Sequence, residues 1–205
     1  LTGEQGDTGG KSVALSKNGQ IVAFGADQHD SDPDSFGYTA IDAGQIRIFA
    51  WDGAIWQPRG NAIIGTTEKS YFGNSVGLSS DGDTVAASST AGVARVFKFD
   101  GSNWIQQGDE ISGSRPTRSF SFSNDASTIA LGKPQIDPNN RGEVVIYSWD
   151  GSGWRILGEA IEGESRDNSA DTGSLALSGG GSVVAIGSHR NSGGYDGHVR
   201  VFAKA

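Results

Sequence analysis

Alternation of apolar and polar residues over short stretches is the main pattern along this chain. Residues 142–154 show it clearly, with an alternating strand, an Asp-Gly turn and a second strand that starts at Trp154. The same arrangement occurs at residues 44–56 and 92–104, and its first half occurs again at 197–202. Period-two alternation broken by Asp-Gly is typical of β-hairpins, because the turn needs positive φ angles. The pattern therefore predicts repeated antiparallel hairpins.

Each hairpin belongs to a longer unit with four predicted strands. The first strand is small and apolar and ends in serine, and the second is rich in alanine and glycine. First strands are predicted at residues 12–16, 75–79, 119–123 and 174–178, second strands at 21–25, 84–88, 128–132 and 182–187, and third strands at 45–49, 93–97, 143–147 and 198–202. The fourth strands begin with Trp56, Trp104 and Trp154 and run on to an Ile-X-Gly segment, and the fourth unit has no such strand.

The repeat length indicates the architecture that these strands form. Equivalent third strands recur about every 50 residues, which is the spacing of propeller blades. We therefore predict an all-β fold: one β-propeller domain over residues 1–205, with four blades of mostly four antiparallel strands, the last lacking its outer strand. The repeats fall approximately at residues 1–62, 63–110, 111–160 and 161–205. A closed four-bladed ring is favoured, and a missing strand upstream of Leu1 or a longer array are the alternatives.

The repeat resembles a known family. Residues 75–86, Ser-Val-Gly-Leu-Ser-Ser-Asp-Gly-Asp-Thr-Val-Ala, are followed by a loop, and the pattern continues with Gly-X-Val-Arg-Val-Phe and Asp-Gly-X-X-Trp. This pattern resembles the FG-GAP repeats of integrin-α-type propellers over nearly the whole chain, and Tyr71-Phe72-Gly73 supplies a Phe-Gly pair at the position of the motif. The resemblance implies a propeller used in adhesion or protein binding. The family's Asp-X-Asp-X-Asp-Gly calcium loops are absent from the corresponding turns, where ordinary hairpin turns are expected.

Composition narrows the class of partner. The net charge is −8 and no basic stripe is present, which disfavours binding to a phosphate backbone and excludes nucleic acid as the expected partner. The chain contains no cysteine, so disulfides and thiolate metal sites are excluded. No apolar run approaches the roughly 18 residues that a membrane helix needs, so no membrane insertion is expected. The start at Leu1 and the lack of methionine predict a processed or trimmed start. The resembled subtype of FG-GAP repeat is common in secreted proteins, which implies an extracellular or otherwise exported protein.

The loop between the first pair of second and third strands is the longest and the most acidic. Asp27, Asp30, Asp32 and Asp34 stand within eight residues of each other. Carboxylates at alternate positions can ligate Ca²⁺, so these four are candidate metal ligands. The alternative is a solvated acidic loop without a metal, and we expect no other cofactor.

The three histidines are candidates for a ligand or metal site. His29 and His189 follow equivalent second strands, and His198 opens a third strand that the repeat places on the same face. With neighbouring aspartates they could form a metal site or an acid–base pair if the fold brought them together. The alternative is that they are exposed loop residues.

The aromatic residues divide into a repeated and a non-repeated group. The tryptophans recur at equivalent positions, which predicts packing between blades rather than a binding surface. Phe36, Tyr38, Tyr71 and Tyr195 lie in variable loops and are the aromatic candidates for contact with a ligand. Arg47, Arg95 and Arg200 recur in third strands, where we expect exposed pairs with acidic neighbours.

No Gly-X-Ser-X-Gly elbow, phosphate loop or dinucleotide fingerprint is present, and no catalytic residue is assigned. The first functional hypothesis is a non-catalytic binding or assembly module that presents the loops of one propeller face to a protein or a glycan. The second is a carbohydrate-binding lectin. The third is a hydrolase or lyase with histidines and carboxylates at the central channel. A larger assembly could also supply the strand that the last blade lacks.

Overall fold

The computed structural model describes residues 9–31, 37–112, 117, 119–133, 142–163, 174–188 and 197–204. Every regular element in these residues is a β-strand. The described part of the chain contains no helix long and apolar enough to cross a membrane. The chain divides into two compact units, Leu1–Glu110 and Ile111–Ala205.

The first unit holds the first two sheets. Sheet 1 contains β1 (Gly9–Leu15), β2 (Ile21–Ala26), β3 (Gln45–Trp51), β4 (Trp56–Pro58) and β5 (Ile63–Ile64). Sheet 2 contains β6 (Ser75–Leu78), β7 (Thr84–Ser88), β8 (Val93–Phe99) and β9 (Trp104–Gln106), and the next strand along the chain is β10 (Ile111–Ser112).

The second unit repeats this plan with one difference. Sheet 3 contains β11 (Ser119–Phe122), β12 (Thr128–Lys133), β13 (Glu143–Trp149), β14 (Trp154–Ile156) and β15 (Ile161–Glu162). Over the residues that the structure describes, sheet 4 consists of β16 (Ser174–Leu177), β17 (Val183–Ser188) and β18 (His198–Ala203). Neighbouring strands are antiparallel and follow chain order, so these sheets are the blades of a β-propeller. The predicted all-β propeller fold, with an incomplete last blade, is confirmed.

The sequence predicts a fourth strand that runs on without a break into the Ile-X-Gly segment, and the structure differs from this prediction. In sheet 1 it is broken into β4 and β5, and both pieces pair with β3. Gly60 lies between them with φ of 74°, a conformation that glycine adopts without steric cost. Gly158 has φ of 75° at the equivalent point of sheet 3. The Ile-X-Gly segment therefore completes its own sheet.

The serine that ends each first strand has a specific role in the following turn. In all four sheets its hydroxyl accepts a hydrogen bond from the backbone N–H five residues later, at distances of 2.9 or 3.0 Å; these serines are Ser16, Ser79, Ser123 and Ser178. In two turns the same hydroxyl donates to an aspartate, Asp81 or Asp125, which also accepts a backbone N–H. These bonds satisfy polar groups that the sharp turn would leave unpaired.

A second set of aspartates closes the hairpins between third and fourth strands. The Oδ1 atoms of Asp52, Asp100 and Asp150 each accept two backbone N–H bonds from the residues two and three positions later. These N–H donors are the main reason why the pKa of each of the three carboxyls lies below its ordinary value. At Asp150 the Arg155 guanidinium lowers the pKa further.

The repeated tryptophans contact an aromatic residue across each of these hairpins. Ring centroids are 5.6 Å apart for Trp51 and Trp56, and 5.4 Å apart for Trp149 and Trp154. Trp104 is also buried: it is only 9% exposed and belongs to the core that sheets 1 and 2 share. The interpretation of Trp104 as a packing residue between repeats is therefore confirmed.

The repeated arginines also join neighbouring sheets. The Arg95 guanidinium donates to the Ile64 carbonyl at 3.4 Å, and Arg200 donates to the equivalent Glu162 carbonyl at 2.9 Å. Arg95 is 8% exposed and lies 4.0 Å from the centroid of the Phe72 ring. Arg95 does contact an acidic neighbour, since its Nε atom lies 3.9 Å from Glu110 Oε1, but the expectation that the arginine is exposed is wrong because its side chain is buried. Burial lowers the pKa of Arg95, and Glu110 offsets part of that effect.

The backbones of sheets 1 and 2 come into contact near Gly25. They are so close there that no side chain fits between them. A Cβ atom added to Gly25 would lie 1.9 Å from the Gly73 carbonyl oxygen. Ser12 donates to the same oxygen at 2.8 Å. Glycine is therefore required at position 25, where two backbones are in contact.

Replacing Gly25 with alanine should destabilise the first unit by more than about 3 kcal/mol, because the neighbouring backbone has to move. Gly180→Ala is the matched control, since Gly180 has open space around its Cα and no positive φ. Urea denaturation of both variants measures the difference. Equal midpoints for the two variants would contradict the close approach.

The Asp-Gly hairpins should make stability sensitive to acid. Carboxyls with a lowered pKa in the folded state stabilise it above their ordinary pKa of about 3.9, and this contribution is lost as the pH falls toward the lower folded values. The triple variant Asp52→Asn, Asp100→Asn, Asp150→Asn keeps the acceptor oxygens but cannot titrate. Its melting temperature should fall less between pH 4.5 and pH 2.5, relative to the wild type and to the control Asp109→Asn. Parallel curves for all three proteins would refute this.

Candidate functional site

Two connecting segments of the first unit lie against each other at one end of sheets 1 and 2. The β2–β3 connection accepts backbone hydrogen bonds from the β5–β6 connection, from Lys69 N–H to Ile41, from Tyr71 N–H to Asp42 and from Phe72 N–H to Ala43, at 2.8 to 3.0 Å. The long acidic loop is thus fixed, over its described residues, on a neighbouring connection.

This contact holds three non-glycine residues in the left-handed region. Asp42, Lys69 and Tyr71 have φ of 52°, 54° and 52°. Each such residue costs on the order of 1 kcal/mol, and the surrounding structure has to supply that energy. Elsewhere in the described residues only Ala126 shares this conformation outside glycine. Concentrated backbone strain is characteristic of functional sites and makes this loop pair the candidate site.

A buried carboxylate lies at the base of the candidate site. Asp27 directly follows β2 and is 4% exposed. Its Oδ2 atom is 3.7 Å from Lys11 Nζ and accepts a hydrogen bond from Asn74 Nδ2 at 3.4 Å. Three separate parts of the chain therefore meet here: β1, the end of β2, and the residue before β6. A carboxylate, an ammonium group and an amide converge on one point.

The cluster around Asp27 is not part of the repeat. The position after the second strand holds Thr90 in the second repeat, and Pro134 and His189 in the third and fourth. Residues that build the common frame recur from unit to unit, as the serine turns do in all four units and the third-strand arginines do in three. A buried aspartate in one unit only is better explained by a local task than by folding.

The loop carboxylates above Asp27 mainly hold the loop in shape. Asp30 Oδ1 accepts the Asp42 N–H at 2.8 Å, and the Tyr71 hydroxyl donates to Asp42 Oδ2 at 3.5 Å. The His29 carbonyl accepts the Gly44 N–H at 2.8 Å. These contacts fix the loop ends around the buried carboxylate.

The outer rim of the site is polar and exposed. The hydroxyl of Tyr38, a residue that is 55% exposed, donates to Glu68 Oε2 at 2.7 Å. This bond, together with Lys69 at 3.4 Å, holds the pKa of Glu68 below its ordinary value. Tyr38, Glu68 and Lys69 thus present a hydroxyl, a carboxylate and an ammonium group to solvent.

The segment between β5 and β6 also lines a small cavity of about 130 Å³ on the sheet 2 side. Hydroxyl groups form much of its wall, and Arg95 and Glu110 close it; the hydroxyl residues are Thr66, Thr67, Ser70 and Ser89. Ser70 is tied to the acidic loop, because its hydroxyl donates to the Ala43 carbonyl at 2.9 Å.

The structure brings together part of the predicted site. Asp27, His29, Asp30, Tyr38 and Tyr71 all belong to the loop pair of the first unit. His198 opens β18 opposite Ser188 in the second unit. Four more predicted residues fall outside the described part of the chain: Asp32, Asp34, Phe36 and Tyr195. His189 also lies outside it.

The calcium site stays a prediction. Among the described residues, no three His, Asp or Glu side chains are grouped so that they could hold a metal ion. Asp27 has an ammonium group as its neighbour, and Asp30 accepts a backbone N–H. Of the four predicted ligands, these two are therefore already engaged by the protein.

Sequence reasoning missed Lys11, Asn74 and Asp42. Lys11 stands one residue before the predicted first strand at 12–16, and Asn74 follows the Phe-Gly pair, where the repeat pattern drew attention to the glycine. The sequence signal that could have identified these residues was a polar residue at a position where the other repeats have a different type of residue. Asp27 and Asn74 are 47 residues apart in the chain, and only the structure shows that their side chains are in contact.

No protein-family model matches the sequence, and no curated protein matches it. Solved structures do match the fold. A protein from Bacteroides uniformis described as a "putative 6-phosphogluconolactonase" has a TM-score of 0.56 and 12% sequence identity to this chain, and the match covers 94% of this chain. The chain spans 54% of the length of that protein. At this identity the comparison shows a shared fold, and the resemblance to FG-GAP repeats stays a prediction.

The comparison overturns the first functional hypothesis. We expected a non-catalytic binding or assembly module and no enzyme activity, partly because no catalytic motif stands out in the sequence. The matching structure belongs to a protein described as an enzyme, and this points away from a non-catalytic module. The missing motif is a poor guide here, because a propeller site is assembled from single residues on separate loops.

Proposed function

We propose that this chain carries the hydrolytic site of a lactonase, an enzyme that opens the cyclic ester of a sugar acid. The observation that carries the proposal is the Asp27 carboxylate, buried at the base of a strained loop pair and contacted by Lys11 and Asn74. The likeness in fold to the Bacteroides uniformis protein supports the choice of reaction. Because the chain spans 54% of that protein, the activity is proposed for the site and not carried over from the whole enzyme.

The three side chains have the functions that ester hydrolysis needs. A carboxylate can accept a proton from water, and the resulting hydroxide attacks the ester carbonyl carbon. Negative charge then develops on the carbonyl oxygen, where an ammonium group and an amide N–H stabilise it. Asp27, Lys11 and Asn74 supply this base and these two donors within one cluster.

The second half of the reaction reuses the same carboxyl group. When the tetrahedral intermediate collapses, the bond between the carbonyl carbon and the ring oxygen breaks. The ring oxygen leaves as an alkoxide and takes the proton that Asp27 accepted from water. The product is an open-chain hydroxy acid, and Asp27 returns to its ionised form without any other reactant.

Access and rim chemistry fit a small polar ester. Half of the Lys11 side chain is exposed, so the cluster lies near the surface on the Lys11 side although Asp27 itself is covered. Tyr38, Glu68 and Lys69 at the rim offer hydrogen-bond partners for sugar hydroxyls and a cation for a phosphate group. The substrate class we propose is therefore a sugar lactone, with or without a phosphate.

The Asp27→Asn variant should hydrolyse glucono-δ-lactone and 6-phosphoglucono-δ-lactone at least about 100-fold more slowly than the wild type, because asparagine cannot accept the proton from water. The rate is measured by acid release in weak buffer, after subtraction of the spontaneous rate. Asp109→Asn, which changes an exposed aspartate elsewhere in the unit, should keep the wild-type rate.

Melting temperatures of both variants distinguish lost chemistry from lost folding. A wild-type rate no higher than the buffer rate on both lactones would refute the proposed activity. Full activity in folded Asp27→Asn would refute the role of this carboxylate.

A further inference from the structure

The second unit contains an apolar pocket of about 340 Å³ between sheets 3 and 4. Its apolar lining comes from both sheets: Ile146, Leu157, Ile161, Leu177, Val184 and Phe202. This pocket lies far along the chain from the Asp27 cluster and shares no residue with it. It has no part in the proposed hydrolysis.

The equivalent place in the first unit is filled by an indole ring. Trp104, the first residue of β9, packs with Ile48 and Ile63 in the core of that unit. Its Nε1 donates to the Arg59 carbonyl at 2.7 Å, and its ring centroid lies 5.1 Å from that of Phe99. A fourth strand thus places a tryptophan between the two sheets.

The repeat maps the surroundings of Trp104 onto the pocket. Each lining position has a counterpart in the first unit: Ile48 corresponds to Ile146, Arg59 to Leu157, Ile63 to Ile161, Leu78 to Leu177, Val85 to Val184 and Phe97 to Phe202. All but one of these counterparts are apolar in both units. The walls that hold the indole in one unit are therefore present in the other.

Two equivalent glycines show that the place of the indole is open in the second unit. Gly60 and Gly158 hold the same place in the broken fourth strand, with φ of 74° and 75°. A Cβ added to Gly60 would lie 3.0 Å from Trp104 Cδ1, whereas a Cβ added to Gly158 would meet no atom within 4 Å. The space beside Gly158 is open where the space beside Gly60 is occupied.

The edge of sheet 4 is also prepared for another strand. The Lys204 N–H donates to the Ser182 carbonyl at 2.8 Å, as the Phe99 N–H donates to Asp83 in sheet 2 at 2.9 Å. β18 therefore extends to the point where the fourth strand of the other sheets begins. In the described residues, sheet 4 ends at β18, and such an edge presents backbone groups that an added strand can pair with.

We propose that this pocket and the β18 edge bind a tryptophan-bearing fourth strand of the Asp-Gly-X-X-Trp type, supplied by a different protein. Residues 1–205 contain three such stretches, at 52–56, 100–104 and 150–154, and each already serves its own sheet. The strand pairs antiparallel with β18, and its indole fills the pocket beside Gly158. Backbone pairing gives affinity, and the indole gives selectivity.

A labelled peptide tests the proposal. A fluorescein-labelled peptide with the sequence of residues 100–112 should bind the full chain saturably in fluorescence anisotropy, and the same peptide with Trp→Ala should bind at least tenfold more weakly. Equal binding of the two peptides would overturn the proposal.

A pocket variant provides the matched test on the protein. Gly158→Asn places a side chain in the pocket, and asparagine tolerates the positive φ. It should weaken peptide binding at least tenfold, while Gly37→Asn, at φ of 80° with no atom within 4 Å of an added Cβ, should not. Self-association of the chain that Gly158→Asn abolishes would assign the pocket to a second copy and overturn the proposal.

If the free peptide binds too weakly to measure, a covalent fusion of the peptide to the protein tests the same contact. Joining residues 100–112 to the C-terminus raises the effective concentration of the strand to the millimolar range. The fusion should melt several degrees higher than the same fusion with Trp→Ala. No difference between these two fusions, together with no peptide binding, would refute the proposed strand.

Discussion

The contact between the backbones of neighbouring sheets is the constraint on which the first unit depends. Gly25 and Gly73 lie so close that neither can carry a side chain pointing at the other. This approach explains why the second strands are built from small residues, such as Ala23, Ala86 and Ala87, which are fully buried. It also sets where the connection before β6 ends, and so it positions Asn74 against Asp27. The candidate site depends on the same contact that holds the sheets together.

Repetition and function use different residues of the same unit. Serine turns, Asp-Gly hairpins and arginines that donate to a carbonyl of the neighbouring sheet recur because the sheets have to close their turns and contact each other. The Asp27 cluster occurs once, on positions where the repeat tolerates variation. The strained residues Asp42 and Tyr71 belong to this second class, and their energetic cost is supported by a frame that is stabilised elsewhere. The division allows a site to change without loss of the fold.

Most of the frame could be predicted from the sequence, and most of the site could not. Alternation and Asp-Gly turns locate the strands, because both depend on residues close together in the chain. The break at Gly60 was missed, since a glycine in a strand and a glycine at a bend look alike in one sequence. The contact of Asn74 with Asp27 depends on how sheets 1 and 2 pack, which no local pattern records. Functional class was misjudged for the same reason.

The outward face of β18 affects how the protein behaves in concentrated solution. Val199 and Val201 are 69% and 64% exposed, while their counterparts Ala94 and Val96 in sheet 2 are buried. At neutral pH the net charge of −8 keeps such apolar faces on different molecules apart by mutual repulsion. Near the isoelectric point of about 4.8 that repulsion vanishes. We therefore expect the apolar face of β18 to associate with other molecules most readily near pH 4.8, where charge repulsion is weakest.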